Sequence, residues 1–547
     1  MNWILTSSLE KIVPGTEQEF QPLLHASMLQ NETYCFSVMH RLMPEDEVHK
    51  KWFQLEVESD LQEYIKVSEL KNVPMEMPAY PTTVDEDYLT KSPALVSDVL
   101  WPMDGKRFYS ARALWRGLWF TVSGSLPKGV HNIIVRAVNE EGLCEQAAAV
   151  ELEVIGAKLP KQELVYTNWF HCDCLAKYYK VPMQSERHWE LIEQYMKCAA
   201  RFGVNMILTP VFTPPLDTAV GTERPTMQLV DVYEDAEGRY SFSFEKLGRF
   251  LEISRRAGME YFEISHLYTQ WGAAHAPKIM VTRADGEYNR KFGWDTDAFS
   301  DEYKAFLRAF LSELVPYLKS QGVAERCYFH ISDEPSRDHM ENYRRAREAV
   351  EDLLKDFPII DALSDYEFYQ EGLVKKPIPS NDHITPFLEN HVPNLWTYYC
   401  CGQGEKVGNR FLAMPSYRNR ILGCQLYKYD IEGFLHWGFN FWFSHNSGHL
   451  IDPFTVTDGE NTWPAGDPFT IYPGEAGPVA SQRIYVFLEA LQDLRAFRLL
   501  ESFTSKEHVL ELIEQDGEVT FFDYPRNSAY LLSLREMVNE EIKKHVR

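Results

Sequence analysis

The segment Cys327-Tyr328-Phe329-His330-Ile331-Ser332-Asp333-Glu334-Pro335 runs a short apolar strand straight into two neighbouring carboxylates and a proline. Successive side chains of a strand point to opposite faces, so Asp333 and Glu334 can converge only where the strand ends. Proline holds the residue before it extended and can open a following helix, so the spacing predicts an extended Glu334 and a pair projecting beyond the strand. Two carboxylates that close do not both ionise easily, and one keeps its proton near neutral pH while the other stays charged. A general acid beside an electrostatic partner requires that division. An acidic pair that merely complements the dipole of the next helix has the same spacing.

Adjacency constrains the mechanism. Double displacement at an acetal carbon needs two carboxylates roughly 5 Å apart on opposite sides of the breaking bond. Sequence neighbours approach from nearly the same side. Either a carboxylate from another strand completes the site, or the substrate brings its own nucleophile, as the carbonyl oxygen of a 2-acetamido sugar can. In the second scheme Glu334 protonates the leaving oxygen and later deprotonates water. Asp333 then orients the acetamide N–H and stabilises the oxazolinium charge.

The elements that position this pair are legible as a change of rhythm. Residues 1–158 carry short alternating strands broken by turns, such as Leu114–Val122, His131–Ala137 and Ala149–Ile155, which predicts an N-terminal β-sandwich domain. After the linker Gly156–Pro160, short apolar strands alternate with longer helical stretches. Eight strand candidates begin near Val165, Asn205, Glu260, Arg326, Pro358, Pro377, Leu395 and Phe434, with helices over Glu186–Phe202, Phe244–Ala257, Ser300–Gln321 and Asp338–Lys355. The predicted fold class is α/β, with a (β/α)8 TIM-type barrel over 159–501 whose chemistry sits at the C-terminal strand ends. Residues 502–547 read as a small α+β cap, with strands Val509–Ile513 and Val519–Phe522 and a helix Ala529–Lys544.

Composition narrows the partners. With 80 acidic against 55 basic residues the formal charge is −25, which argues against nucleic acid and against an anionic membrane surface. No run approaches the ~20 apolar residues of a membrane span, and the start of the chain lacks a signal-peptide pattern, so the expected location is cytoplasmic. Nine cysteines spread over 547 residues do not form a disulfide framework. Nothing in the sequence speaks to oligomeric state. Cys172 and Cys174 on one strand face, the Cys400-Cys401 pair, His171 and His266 are zinc-type ligands, but no CxxC pair exists and no metal is expected. Gly402–Gly408 lacks the Lys-Ser/Thr ending of a phosphate loop and reads as a flexible loop lining the site.

His330–Pro335 resembles the catalytic strand of family-123 glycoside hydrolases, the β-N-acetylgalactosaminidases. Asn168–Cys174, Gly433–Asn440, Ile471-Tyr472-Pro473-Gly474 and the helix opening at Ser481-Gln482-Arg483 resemble that group too, so the similarity spans about 160–500. The resemblance implies a carbohydrate substrate, a retaining, substrate-assisted reaction with Asp333 and Glu334 in the roles above, GalNAc preferred over GlcNAc, and no cofactor. Around the pair, Tyr398 offers a donor to the acetamide oxygen, Trp437 an apolar wall and Asn440 a hydroxyl partner. His266, Trp271, His171, Asp173, Asp365 and Trp396 complete the candidate substrate contacts, each weighed against a barrel-rim or core role. Two alternatives stay open. One is a hydrolase of a sugar without the acetamide, using Asp173 or Asp365 as nucleophile, and the other is a catalytically silent carbohydrate-binding protein.

Overall fold

A computed structural model describes residues 1–103 and 105–546. Its N-terminal part is two five-stranded sheets packed face to face. One is ordered Asn2–Ser7, Thr33–Arg41, Arg116–Ser123, Ile65–Met75, Ala94–Pro102, and the other His25–Leu29, Cys144–Ile155, Gly129–Val138, Lys50–Glu58, Arg107–Ala111. Alternation drives the pairing: in Lys50–Glu58, Phe53 and Leu55 are buried while Trp52, Gln54 and Glu56 face solvent. Phe36 of the first sheet stacks on Phe120 at 4.8 Å, and both belong to the core shared with Phe53, Ile133 and Leu152 of the second.

Eight short parallel strands follow: β1 Val165–Asn168, β2 Met206–Thr209, β3 Tyr261–Ile264, β4 Cys327–Phe329, β5 Ile360–Ala362, β6 Lys376–Ile378, β7 Trp396–Tyr398 and β8 Gly433–His436. Six of them form one sheet in the order β4-β3-β2-β1-β8-β7, while β5 and β6 pair separately. Single parallel bridges, Phe329 to Ile359 and Ser380 to Tyr398, connect that pair to β4 and β7. Proline explains the thinness of these joins. Pro358 and Pro379 accept hydrogen bonds from the Phe329 and Tyr398 N–H groups at 3.0 and 3.1 Å, but neither can donate one back.

The helices Glu186–Arg201, Glu245–Ala257 and Asp301–Ser320 lie where expected, the first and third capped by the Ser185 and Ser300 side chains. The expected helix over 338–355 is broken into Met340–Glu348 and Glu351–Leu354, because Val350 leaves the helical backbone (φ −128°) and is buried there. A four-stranded sheet, Tyr240–Ser243, Asp231–Glu234, Ile279–Arg283, Tyr288–Phe292, stands on the connections after β2 and β3 and was not anticipated.

The C-terminal strand pair is a correction. Residues 506–513 form a helix, Lys506–Ile513, capped by Ser505 and burying Val509 and Ile513 one turn apart, while 519–522 belong to no strand. A short apolar run fits either period, and the i, i+4 burial decided it. The last helix, Ser528–His545, packs on the long helix Gln482–Phe503 and reaches the sandwich through Glu536 and Asn539, both bonded to Ser27. Buried polar groups tie the sandwich to the helix Gln482–Phe503 and to the connection after β7. Arg483 grips Asp98 with two 2.9 Å bonds, and Lys11 Nζ, lowered by burial to about 7, donates to the carbonyls of Phe411, Leu412 and Met414. Among the described residues no helix is long and apolar enough to cross a membrane.

Candidate active site

β4 ends at Phe329, and the chain continues through His330 to Asp333 and Glu334. Glu334 is not extended: its φ is +44°, in the left-handed region. Tertiary hydrogen bonds override the preference imposed by Pro335, since the Asp333 carbonyl accepts from the Trp271 N–H at 2.9 Å and the Glu334 N–H donates to the Ala362 carbonyl at 3.0 Å. The turn lets two neighbours face one cavity, whose wall also includes Tyr398, Trp437, Trp271 and Trp463.

The Tyr398 hydroxyl donates to Glu334 Oε1 at 2.7 Å. The Trp437 indole N–H donates to Asp467 Oδ2 at 2.8 Å, and its ring lies 5.1 Å from that of Trp463, which makes an aromatic wall. Burial raises the Asp333 carboxyl well above its ordinary range, with the Glu334 charge adding to it. Glu334 is raised by burial too, while hydrogen bonds from Tyr398 and Trp271 act in the opposite direction. Asp467 is pushed up to about 7, first by burial. The pair therefore favours sharing a proton.

Beneath it lies a fully buried row of charge. The two ring nitrogens of His330 stand 2.9 Å from Asp361 Oδ1 and 2.6 Å from Glu263 Oε1. Glu263 also accepts from Thr167 and Trp169, and Asp361 from Tyr343 and the Ile331 N–H. Its carboxylate partners raise His330 to about 10 against the cost of burial, which is the largest single influence on it. His266 stacks on His330 with ring centroids 4.1 Å apart, and neither of its buried nitrogens has a partner. His266, His330 and Asp361 bring three possible ligand atoms within 4.8 Å. Both His330 nitrogens are already engaged, so of the two rings only His266 offers a free lone pair.

Residues 169–500 match the family model described as the catalytic domain of glycoside hydrolase 123. The chain belongs to glycoside hydrolase family 123. Its fold is similar to that of a family 123 glycoside hydrolase from Clostridium perfringens, with a TM-score of 0.71 at 15% identity, covering 100% of this chain and 98% of that one. A Rhizomucor miehei family 5 mannosidase gives a TM-score of 0.33 at 12% identity over 63% of this chain and 94% of its own. A Parabacteroides merdae β-glucuronidase gives 0.26 at 10% identity over 80% and 47%, and both of these scores are too low to mark a shared fold. No curated protein sequence matches the chain.

Of the candidate residues, this family 123 glycosidase brings Asp333, Glu334, Tyr398, Trp437 and Trp271 to the cavity. The others stand outside its lining. Asn440 bonds the His171 backbone through both ends of its amide, tying β8 to β1. The His171 ring joins the Trp437 carbonyl at 2.8 Å and Arg224 at 3.1 Å, so it supports the aromatic wall from behind. Asp173 is clamped by Arg224 at 2.7 and 2.9 Å. Asp365 accepts the Arg337 N–H, Trp396 is a fully buried core ring, and His266 lies under the pair.

Cys172 and Cys174 are not on a strand but in the helix Cys172–Tyr178, both buried. Cys400 and Cys401 do line the cavity. Gly402–Gly408 is no flexible lining: a Cβ on Gly404 would lie 2.1 Å from the Thr83 carbonyl, and Tyr88 bonds the Gly404 carbonyl. Sequence reasoning missed Asp217, Gln270, Trp463 and Trp169 in the lining. Trp169 stood inside the Asn168–Cys174 segment already singled out, whereas Asp217 and Gln270 sit on connections after β2 and β3 with no motif around them.

Proposed function

We propose that the chain is a retaining, exo-acting β-N-acetylhexosaminidase with GalNAc preferred, working by substrate assistance at the mouth of a (β/α)8 barrel spanning 159–501. The sandwich 1–158 and the cap 502–547 flank it in this reading. The observation that carries the proposal is that consecutive residues, Asp333 and Glu334, face one cavity, while Asp173 is occupied by Arg224 and Asp365 by the Arg337 backbone. Glu334 enters protonated and gives its proton to the leaving oxygen. Ionised Asp333 accepts the acetamide N–H as the acetamide oxygen bonds to the anomeric carbon. Glu334, now a base, takes a proton from the water that opens the oxazolinium ring and restores the β-configured sugar. Trp437 and Trp463 suit the acetamide methyl and the sugar face. The substrate class is a terminal β-linked acetamido sugar on an oligosaccharide or glycoconjugate. A glycolipid fits that class, since the Clostridium perfringens structure is described in terms of glycolipid glycan hydrolysis.

A second reading rests on Asp217, a further carboxylate in the cavity wall, which would serve as nucleophile for a sugar lacking the acetamide. Hydrolysis of aryl β-glycosides of GalNAc, GlcNAc, galactose and glucose by wild type, Glu334→Gln and Asp217→Asn separates the two. Turnover confined to acetamido sugars, lost in Glu334→Gln and kept in Asp217→Asn, is the expected result. Cleavage of plain galactosides or glucosides, lost in Asp217→Asn, would replace substrate assistance with double displacement.

A further inference from the structure

The substrate-assisted reading needs Asp333 charged in a place that disfavours charge. The groups acting on Asp333 are Glu334 beside it, Glu263 from β3, Asp361 from β5 and His330 on its own segment. Three are acidic and push a proton onto Asp333, and His330 alone pulls the other way. Tyr398 donates to Glu334 rather than to Asp333, and Asp467 feels the Glu334 charge rather than acting on Asp333.

His330 is built to be a cation. An ionised carboxylate only accepts hydrogen bonds, and each ring nitrogen faces one, so with Glu263 and Asp361 ionised both nitrogens carry a proton, in keeping with a ring raised to about 10 against the cost of burial. Neither carboxylate can turn away. The remaining oxygens of Glu263 and Asp361 are engaged by Thr167 and Tyr343, and the Ile331 N–H donates to Asp361 as well. His266 presses its ring against His330, burial beside that charge keeps it neutral, and neither of its nitrogens is held by a partner. A second cation at His266 would repel the first.

We propose that His330, clamped between Glu263 and Asp361, is a positioning residue whose fixed positive charge holds Asp333 ionised for the acetamide N–H. The inference rests on the substrate-assisted reading above. It assigns His330 no contact with substrate and no proton transfer of its own.

The experiment is the pH profile of kcat/KM on an aryl β-N-acetylgalactosaminide for wild type, His330→Gln and His330→Lys. Removing the cation raises the pH at which Asp333 ionises, so the acid limb of His330→Gln moves up by about one to three pH units. The basic limb, which reports loss of the Glu334 proton, stays in place, so the bell-shaped profile narrows from its acid side, and His330→Lys, which restores a charge, returns the acid limb toward wild type. A loss that is uniform across pH, with the limb unmoved, overturns the proposal and leaves His330 a packing residue. Should His330→Gln not fold, ¹⁵N resonances of the His330 ring in the wild-type enzyme decide: two ring N–H groups at pH 7 support the proposal, and a neutral ring sinks it. Wild-type cleavage of sugars without an acetamide is a separate failure, that of the underlying reading.

Discussion

Two clusters of buried charge sit in this molecule under opposite rules. At the junction of the sandwich with the long helix, each carboxylate meets a guanidinium. Arg483 takes both oxygens of Asp98, Arg420 joins Asp493 and Glu489, and Arg535 joins Asp493 and Glu32. Arg483 also bonds the carbonyls of Phe469 and Arg410, so its donors are spent on fixed acceptors. At the end of β4 two carboxylates share a cavity with no arginine among its lining residues. A buried carboxylate gripped at both oxygens by arginine, as Asp98 is, is fixed in place, although burial still pushes Glu489, with a single bond from Arg420, up to about 7. Left with tyrosine, tryptophan and the charge of His330 on its own segment, a carboxylate is suited to gain or lose a proton during a reaction. Structural and chemical use of the same residue types is thus decided by the partner, not by burial.

The contrast can be broken at the junction first. Arg483→Met leaves Asp98 buried without its cation and costs about 3–5 kcal/mol in urea denaturation. KM of the folded fraction should stay unchanged. A cost below about 1 kcal/mol would mean that water replaces the guanidinium and that the junction is not a structural ion pair.

At the cavity, Asp333→Asn should do the reverse, lowering kcat/KM on the order of 10²–10³-fold with no loss of stability. The pH dependence of that stability sharpens the point. The folded-state carboxyl of Asp333 is raised, so its contribution to stability is complete below the unfolded value of about 3.9 and is lost as pH rises toward the folded value. The melting temperature of Asp333→Asn relative to wild type should therefore climb as pH rises from about 4. A flat difference would mean that Asp333 is as easily ionised in the fold as in the open chain.

The smallest effect is expected at Asp365, which lies outside the cavity lining and accepts a backbone N–H. Asp365→Asn should change kcat/KM by less than about twofold. A large loss would extend the site toward β5.

Much of this was legible in the chain. The observed parallel strands begin within two residues of the starts read from apolar runs, and the Asp333-Glu334 pair was visible because a strand pattern ran into it without a break. Contacts that depend on where distant segments meet were not legible. Asn440 and His171 stood in the right segments, yet they satisfy each other's polar groups, which only the meeting of β1 and β8 reveals. Asp173 looked like a spare nucleophile until Arg224, fifty-one positions on, was found to occupy both oxygens. Gly404 looked mobile by composition and is fixed by a neighbour, Thr83, more than three hundred residues earlier. In each case local pattern placed the residue and tertiary partnership assigned its task.

If Glu334 is the acid proposed above, its left-handed backbone, just before a proline, sets activity against folding. A glycine there would relieve a cost on the order of 1 kcal/mol and remove a buried carboxyl, so the inactive protein would be the sturdier one. Stability alone would therefore never keep a glutamate at this position. In a lineage released from selection for the proposed turnover, 334 is where substitution should be tolerated first.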